Sequence, residues 1–285
     1  MSINIDLQNV SYRYPDGTSA LSGINLSLEG PEKIVLLGEN GAGKSTLFGL
    51  LVGMLRPSQG RLLIDGSPAS YRGSALRSWR RRVGFVFQDP DIQLFSASVE
   101  QDVSFGPVNL GLEKTEVRRR TERALKQAGV AALKDKPVHL LSYGQKKLVS
   151  IAGILVMEPE LLLLDEPTAW LDTRHSQRVM TLLEECYQAG KTVMLSTHDV
   201  DLAYTWAQRV IILKEGSLLL DGPVEQAFGS GRWMERAGLS LPTLVRINLT
   251  LKEQGITSSF RSVEELERWL KGQFSPQQFK LAGRT

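Results

Sequence analysis

Apolar and polar positions alternate from residue 3 to residue 30, with Ile3, Ile5 and Leu7, then Ile24, Leu26 and Leu28, on one face. Tyr14-Pro15-Asp16-Gly17 interrupts them as a turn, so the stretch predicts an antiparallel β piece covered on one side. Continuous apolar runs replace the alternation at Ile34–Leu37, Leu161–Leu164 and Val210–Leu213, within expected strands Leu161–Asp165 and Arg209–Leu213, and Thr192–Ser196 predicts a further strand. Such runs suit strands buried on both faces. Arg61–Asp65 and Val83–Gln88 predict further strands. Helical spacing predicts helices over Lys114–Gly129, Thr173–Gln188, closed by Gly190, and Asp199–Ala207. Strands alternating with helices predict an α/β fold with a mainly parallel core sheet, an N-terminal antiparallel piece and helices on both faces. A break falls near Phe228-Gly229-Ser230-Gly231. Beyond it, Pro242–Glu253 and Ser262–Phe274 predict two short amphipathic helices, the second with capping-box spacing from Ser262 to Glu265. This divides the chain into an expected domain over 1–230, with a helical part at about 89–158, and a helical extension over 231–285.

Composition narrows the classes. At 285 residues and 42% hydrophobic content the chain can bury a large core. Its 34 basic and 31 acidic residues are interspersed, so Arg80–Arg82 and Arg118–Arg120 read as solvated helix faces and no nucleic acid partner is expected. One cysteine excludes an internal disulfide, and three scattered histidines lack metal-ligand spacing. No signal sequence or membrane-spanning run is read, so work at a membrane would go through a partner.

The chemistry concentrates where a strand meets a helix. In GENGAGKST, residues 38–46, three glycines in six positions cost conformational entropy and pack almost nothing. Between the strand Ile34–Leu37 and the helix opening at Ser45, Gly38, Gly43, Lys44 and Ser45 fill the phosphate-loop pattern. Backbone N–H groups along Gly38, Glu39, Asn40, Gly41, Ala42, Gly43, Lys44, Ser45 and Thr46 would curl around phosphates at the positive end of the helix. Lys44 would reach the β- and γ-phosphates, and the Ser45 hydroxyl would ligate Mg²⁺. In LLLLDEP, Asp165 ends a strand where it can hold Mg²⁺, and Glu166 points toward where water would attack the γ-phosphate. His198, topping the strand Thr192–Ser196, is placed to bond the γ-phosphate or that water. In LSYGQKK, Ser142 and Gln145 have capping-box spacing, so a helix N-terminus with the bare backbone of Gly144 forms a second phosphate-binding device. One expected nucleotide does not require two.

Residues 3–228 resemble the ATPase subunit of an ABC transporter, and the resemblance accounts for the surplus. It implies that two cassettes meet head to tail, each signature helix closing over the ATP of the other. It further implies that Tyr14 stacks on adenine and that Gln88 is the Q-loop glutamine, touching Mg²⁺ and the γ-phosphate. Leu141–Gln145 would be the signature, Asp165 the Mg²⁺ ligand, Glu166 the general base, Leu171-Asp172 the D-loop and His198 the switch histidine. Trp170 stands where the family usually has a small residue, and Leu148 where an Arg commonly follows the signature. Phe85–Leu112, with LSYGQKK and DVDLAYTWAQRV, is similar to the energy-coupling-factor group, most of all its cobalt and nickel importers. The implied cofactors are ATP and Mg²⁺. The implied partners are a second ATPase subunit, identical or a close paralogue, a transmembrane coupling subunit docking at Gln88–Phe95, and a substrate-binding membrane subunit. The implied location is the cytoplasmic face of the membrane. An importer for a vitamin or other micronutrient is the alternative. A soluble ABC ATPase of DNA repair or translation fits less well, since only about fifty residues separate Gln88 from the signature. A P-loop kinase or GTPase explains neither Gln88 nor His198. The tail is expected to pair ATPase chains, outside the ATP site.

Overall fold

The strands β1 (Ile5–Arg13) and β2 (Ser19–Leu28) form an antiparallel hairpin, closed by Tyr14 N–H donating to Thr18 O at 2.9 Å. In this computed structural model residues 3–229 and 231–273 are described, so the expectations for Ser230 and for Phe274 onward lie outside the described residues. The buried strand β3 (Lys33–Leu37) leads through the glycine loop into α1 (Lys44–Leu51). Next come β4 (Gln59–Ile64), β5 (Ser67–Pro68), α2 (Gly73–Arg82) and β6 (Val83–Val86). The helical part follows as α3 (Val99–Asn109), α4 (Lys114–Ala128) and α5 (Tyr143–Leu155). The chain then alternates through β7 (Leu161–Asp165), α6 (Thr173–Gln188), β8 (Thr192–Ser196), α7 (Val200–Trp206), β9 (Arg209–Lys214) and β10 (Ser217–Pro223). It continues through α8 (Val224–Phe228), α9 (Arg232–Ala237), α10 (Thr243–Glu253) and α11 (Val263–Gln273).

Two sheets result, within an α/β fold as expected. One is β2-β1-β4-β5, all antiparallel; the other is β10-β9-β3-β8-β7-β6, parallel except where β10 turns back on β9. Apolar runs become buried strands because both faces are covered. Ile34 and Leu36 of β3 join Leu161 and Leu163 of β7 in one core, while Val35, Leu37, Leu162 and Leu164 face the other. Successive side chains point to opposite faces, so each strand contributes to two cores.

Several expectations are corrected. The strand expected over Val83–Gln88 stops at Val86, because Phe87 and Gln88 turn away and their carbonyls are taken by the Lys147 ammonium. The arginine clusters are not simply solvated. Arg82 pairs with Glu160 and Asp65, and Arg120, largely buried, with Glu116 and Glu158. The tail packs on the rest of the chain: Met234, Ala237, Leu244 and Val245 are buried in the main core, and Leu239, just past α9, lines the cleft described below. Ser262 Oγ accepts from Glu265 N–H at 3.2 Å, but the Glu265 carboxylate accepts from Arg261 N–H, so half of the expected capping box forms.

Candidate nucleotide site

Strand order brings the site together. In the sequence β3–α1, β6, β7 and β8 come in that order, but in space β8 lies between β3 and β7, with β6 beyond β7. All four run parallel, so the loops at their carboxyl ends open on the same side, where α/β sheets hold ligands. There a cleft of about 950 Å³ is lined by phosphate-loop residues and Tyr14, with Gln88, Asp165, Glu166 and His198 across from them.

The phosphate loop is held by its own backbone and by Lys44. Its Nζ donates to Gly38 O at 2.7 Å and to Glu39 O at 3.1 Å, and the side chain is mostly buried. Burial pushes the Lys44 ammonium below its ordinary pKa, with Glu166 and Asp165 opposing the shift. Gly43 has φ +102°, and a Cβ there would meet Ala20 O and Leu21 Cδ2, each at 2.7 Å. Only glycine fits this turn into α1.

The acidic side is equally fixed. Ser45 Oγ donates to Asp165 Oδ2 at 2.6 Å, and Ser196 Oγ donates to Asp165 Oδ1. Glu166, at φ +43° and nearly buried, donates its N–H to Ser196 Oγ at 3.1 Å, while its Oε1 lies 2.9 Å from His198 Nδ1. Register explains this: Asp165 pairs with Ser196 across β7 and β8. Ser196 was not singled out from sequence. Its signal was a hydroxyl ending a buried strand two residues before His198. Oxygen donors of this kind suit a hard cation, and no group of three or more His, Cys, Asp or Glu able to hold a metal occurs among the described residues. The set fits Mg²⁺ shared with phosphates rather than a metal caged by protein alone.

Tyr14 stands at the cleft edge, its hydroxyl 2.9 Å from Thr46 Oγ1. The signature residues stand elsewhere. Ser142 Oγ accepts from Gln145 N–H at 3.3 Å and Gln145 Oε1 from Ser142 N–H at 3.1 Å, completing the expected capping box at the start of α5. Ser142, Gly144 and Gln145 do not line the cleft of their own chain. Leu148 is buried in the core, extending the apolar face of α5. Lys147, also missed, is fully buried, and burial pushes its ammonium down to about 8 against the opposing charges of Asp165, Asp89 and Glu166. A lysine inside an otherwise apolar helix face was its only sequence signal.

Residues 21–169 match the ABC transporter family, a span that covers half of the chain. The chain belongs to this family. Over 252 residues it is 46% identical to the energy-coupling factor transporter ATP-binding protein EcfA2 of Methanospirillum hungatei, covering 88% of this chain and 63% of that protein. It is also 46% identical to EcfA3 of Clostridium perfringens, covering 88% of both. Among solved structures it resembles cbiO1 from Clostridium perfringens, described as part of the ABC transporter complex cbiONQ, at 44% identity and TM-score 0.74, over 90% of this chain and 98% of that one. It also resembles MJ0796, an ATP-binding cassette described as a dimer bound to ADP and Pi in a post-hydrolysis state, at 29% identity and TM-score 0.70, over 77% and 98%. Fold and relatives together make this an ABC-family ATPase of the energy-coupling-factor branch.

Proposed function

We propose that this chain binds and hydrolyses ATP to power a membrane importer of cobalt or nickel ions, working as a head-to-tail pair with a second copy or a close paralogue. One observation supports the pairing: the capped start of α5, a helix N-terminus of the kind that suits phosphate, does not line the cleft of its own chain. A second chain's ATP supplies what it would bind, and in the closed pair each nucleotide sits between a phosphate loop and the other chain's Ser142, Gly144 and Gln145.

In this reading Tyr14 stacks on the adenine and Lys44 draws charge from the phosphates. Ser45, Asp165 and Gln88 would hold Mg²⁺, which when bound neutralises phosphate charge. Glu166 takes the proton of the attacking water as its oxygen bonds the γ-phosphorus, and the bond to the ADP oxygen breaks. His198, bonded to Glu166, orients that carboxylate and faces the γ-phosphate.

The membrane partner is a transmembrane coupling subunit, with a further membrane subunit binding the cargo. No helix among the described residues is long and apolar enough to cross a membrane, so peripheral attachment at the cytoplasmic face needs a docking surface. Ile92 and Phe95, exposed beside Gln88, supply apolar anchors, and Phe105 packs edge-on against Phe95 with ring centroids 4.7 Å apart. Leu94 instead packs partly buried against the core, which makes Phe95 the better probe. Cobalt or nickel is supported by the resemblance of Phe85–Leu112; a vitamin or other micronutrient is the competing cargo. Cells carrying the whole system should accumulate cobalt or nickel, and Phe95→Asp should abolish uptake while isolated ATP hydrolysis stays within a few-fold of normal. Uptake that persists in the variant moves the docking site elsewhere. Accumulation of another solute, with neither metal taken up by the unaltered system, rejects the metal reading and keeps the importer.

A further inference from the structure

The first turns of α5 hold two walls of the cleft in their own chain. Tyr143 Oη donates to Gln88 O at 3.1 Å. One turn later Lys147 Nζ donates to Phe87 O at 3.0 Å and to Gln88 O. The Tyr143 ring also meets Trp170 edge-on, with centroids 5.8 Å apart and planes at 76°. Gln88 and Trp170 both line the cleft, and Trp170 stands 71% exposed with φ +60°. Gln93 adds a further tie, accepting from Phe87 N–H and donating to Ser150 O within α5.

Lys147 is the part that packing does not explain. Its side chain is fully buried, yet its ammonium is satisfied by backbone carbonyls rather than by a carboxylate. A buried cation is costly, so its retention needs a reason beyond filling space. What the ammonium supplies and a methionine cannot is a directional hold on the Gln88 backbone.

We propose that Lys147 and Tyr143 are positioning residues that clamp the start of α5 to Gln88 and Trp170, so that the γ-phosphate side of one cleft and the signature offered to the other chain move as one body. The clamp rests on the head-to-tail reading. Through it, nucleotide state in one cleft biases the second site of the pair, which is a coupling between two sites through a contiguous set of contacts.

The test compares unaltered protein with Lys147→Met, Lys147→Arg and Tyr143→Phe in ATP hydrolysis against ATP concentration, and measures binding of a fluorescent ATP analogue to dilute single chains. The unaltered protein should hydrolyse ATP cooperatively, with a Hill coefficient approaching about 2 for two sites. Lys147→Met should lower kcat about tenfold or more through misplacement of Gln88 and bring the Hill coefficient toward 1, with analogue affinity within twofold. Lys147→Arg should restore much of the cooperativity. Tyr143→Phe, which keeps the ring on Trp170 but loses the hydroxyl, should reduce cooperativity partway. Cooperative unaltered protein with Lys147→Met unchanged overturns the clamp and leaves the head-to-tail reading standing. Non-cooperative unaltered protein, together with a Glu166→Gln variant that stays monomeric with bound ATP, overturns both. Should Lys147→Met fail to fold, Tyr143→Phe decides, and unchanged cooperativity in it overturns the clamp.

Discussion

Glu166 shows how one residue's role is set by its neighbours. Its left-handed backbone, uncommon for a side chain with a Cβ, is held by the bond from its N–H to Ser196, and this aims the carboxylate at His198. Glu166→Gln keeps the shape but cannot take a proton, so hydrolysis should fall by about 100- to 10,000-fold while ATP still binds. Size-exclusion chromatography with ATP should then give a dimer that ADP does not support, and a monomer under both conditions would count against pairing. Cys186 illustrates the opposite case, a reactive group placed out of reach. It is fully buried, and burial pushes its thiol up to about 11. A thiol reagent at pH 8 should therefore find no reactive cysteine in the native protein and one after denaturation, and rapid native labelling would contradict the burial.

At the scale of elements, the starts of α5 and α6 approach closely enough that Gly144 has no room for a side chain. A Cβ there would fall 2.4 Å from His175 Cγ, and that ring is fixed because His175 Nδ1 bonds the Asp172 carboxylate that caps α6. Gly144→Ala should cost about 1–3 kcal/mol by overpacking, and thermal unfolding should move down by several degrees. Removing the obstacle in a Gly144→Ala, His175→Ala double variant should return part of the loss; equal Tm values for both variants would place the strain elsewhere. The sequence read α5 well, because the capping box from Ser142 to Gln145 is a local signal. It gave no warning of His175, thirty-one residues further on. The bounds of α2, α3 and α9 are not marked in the sequence for a related reason, although Arg80–Arg82 reads as a helix face and 89–158 as helical. Arg72, which precedes α2, offers no capping side chain, α3 contains Pro107, and α9 spans six residues.

Across the whole molecule the tail belongs to the fold. Met234, Ala237, Leu244 and Val245 fill the main core, Tyr204 Oη donates to Phe260 O at 3.1 Å, and Leu239 lines the nucleotide cleft. Deleting residues 232–285 should lower Tm markedly and raise aggregation, because it uncovers apolar surface around Phe228 and Tyr204. Circular dichroism melts and soluble yield measure this, and a truncation as stable as the full chain would show that these contacts add nothing to the stability of the rest.

The sequence by itself determined what short-range chemistry can encode: the glycine turn between β3 and α1, the capped start of α5, the carboxylates ending β7, and the alternation that assigns strand faces. These depend on residues a few positions apart, whose backbone preferences and hydrogen bonds form whatever lies beyond them. Tertiary structure alone decided which strand lies beside which. Placing β8 between β3 and β7 brings Ser196 onto Asp165 and His198 onto Glu166, and other tertiary contacts put Lys147 on the Gln88 carbonyl and Leu239 in the cleft with the phosphate loop. Apolar periodicity fixes that a strand is buried but not against which partner, because burial is non-directional and any apolar face satisfies another.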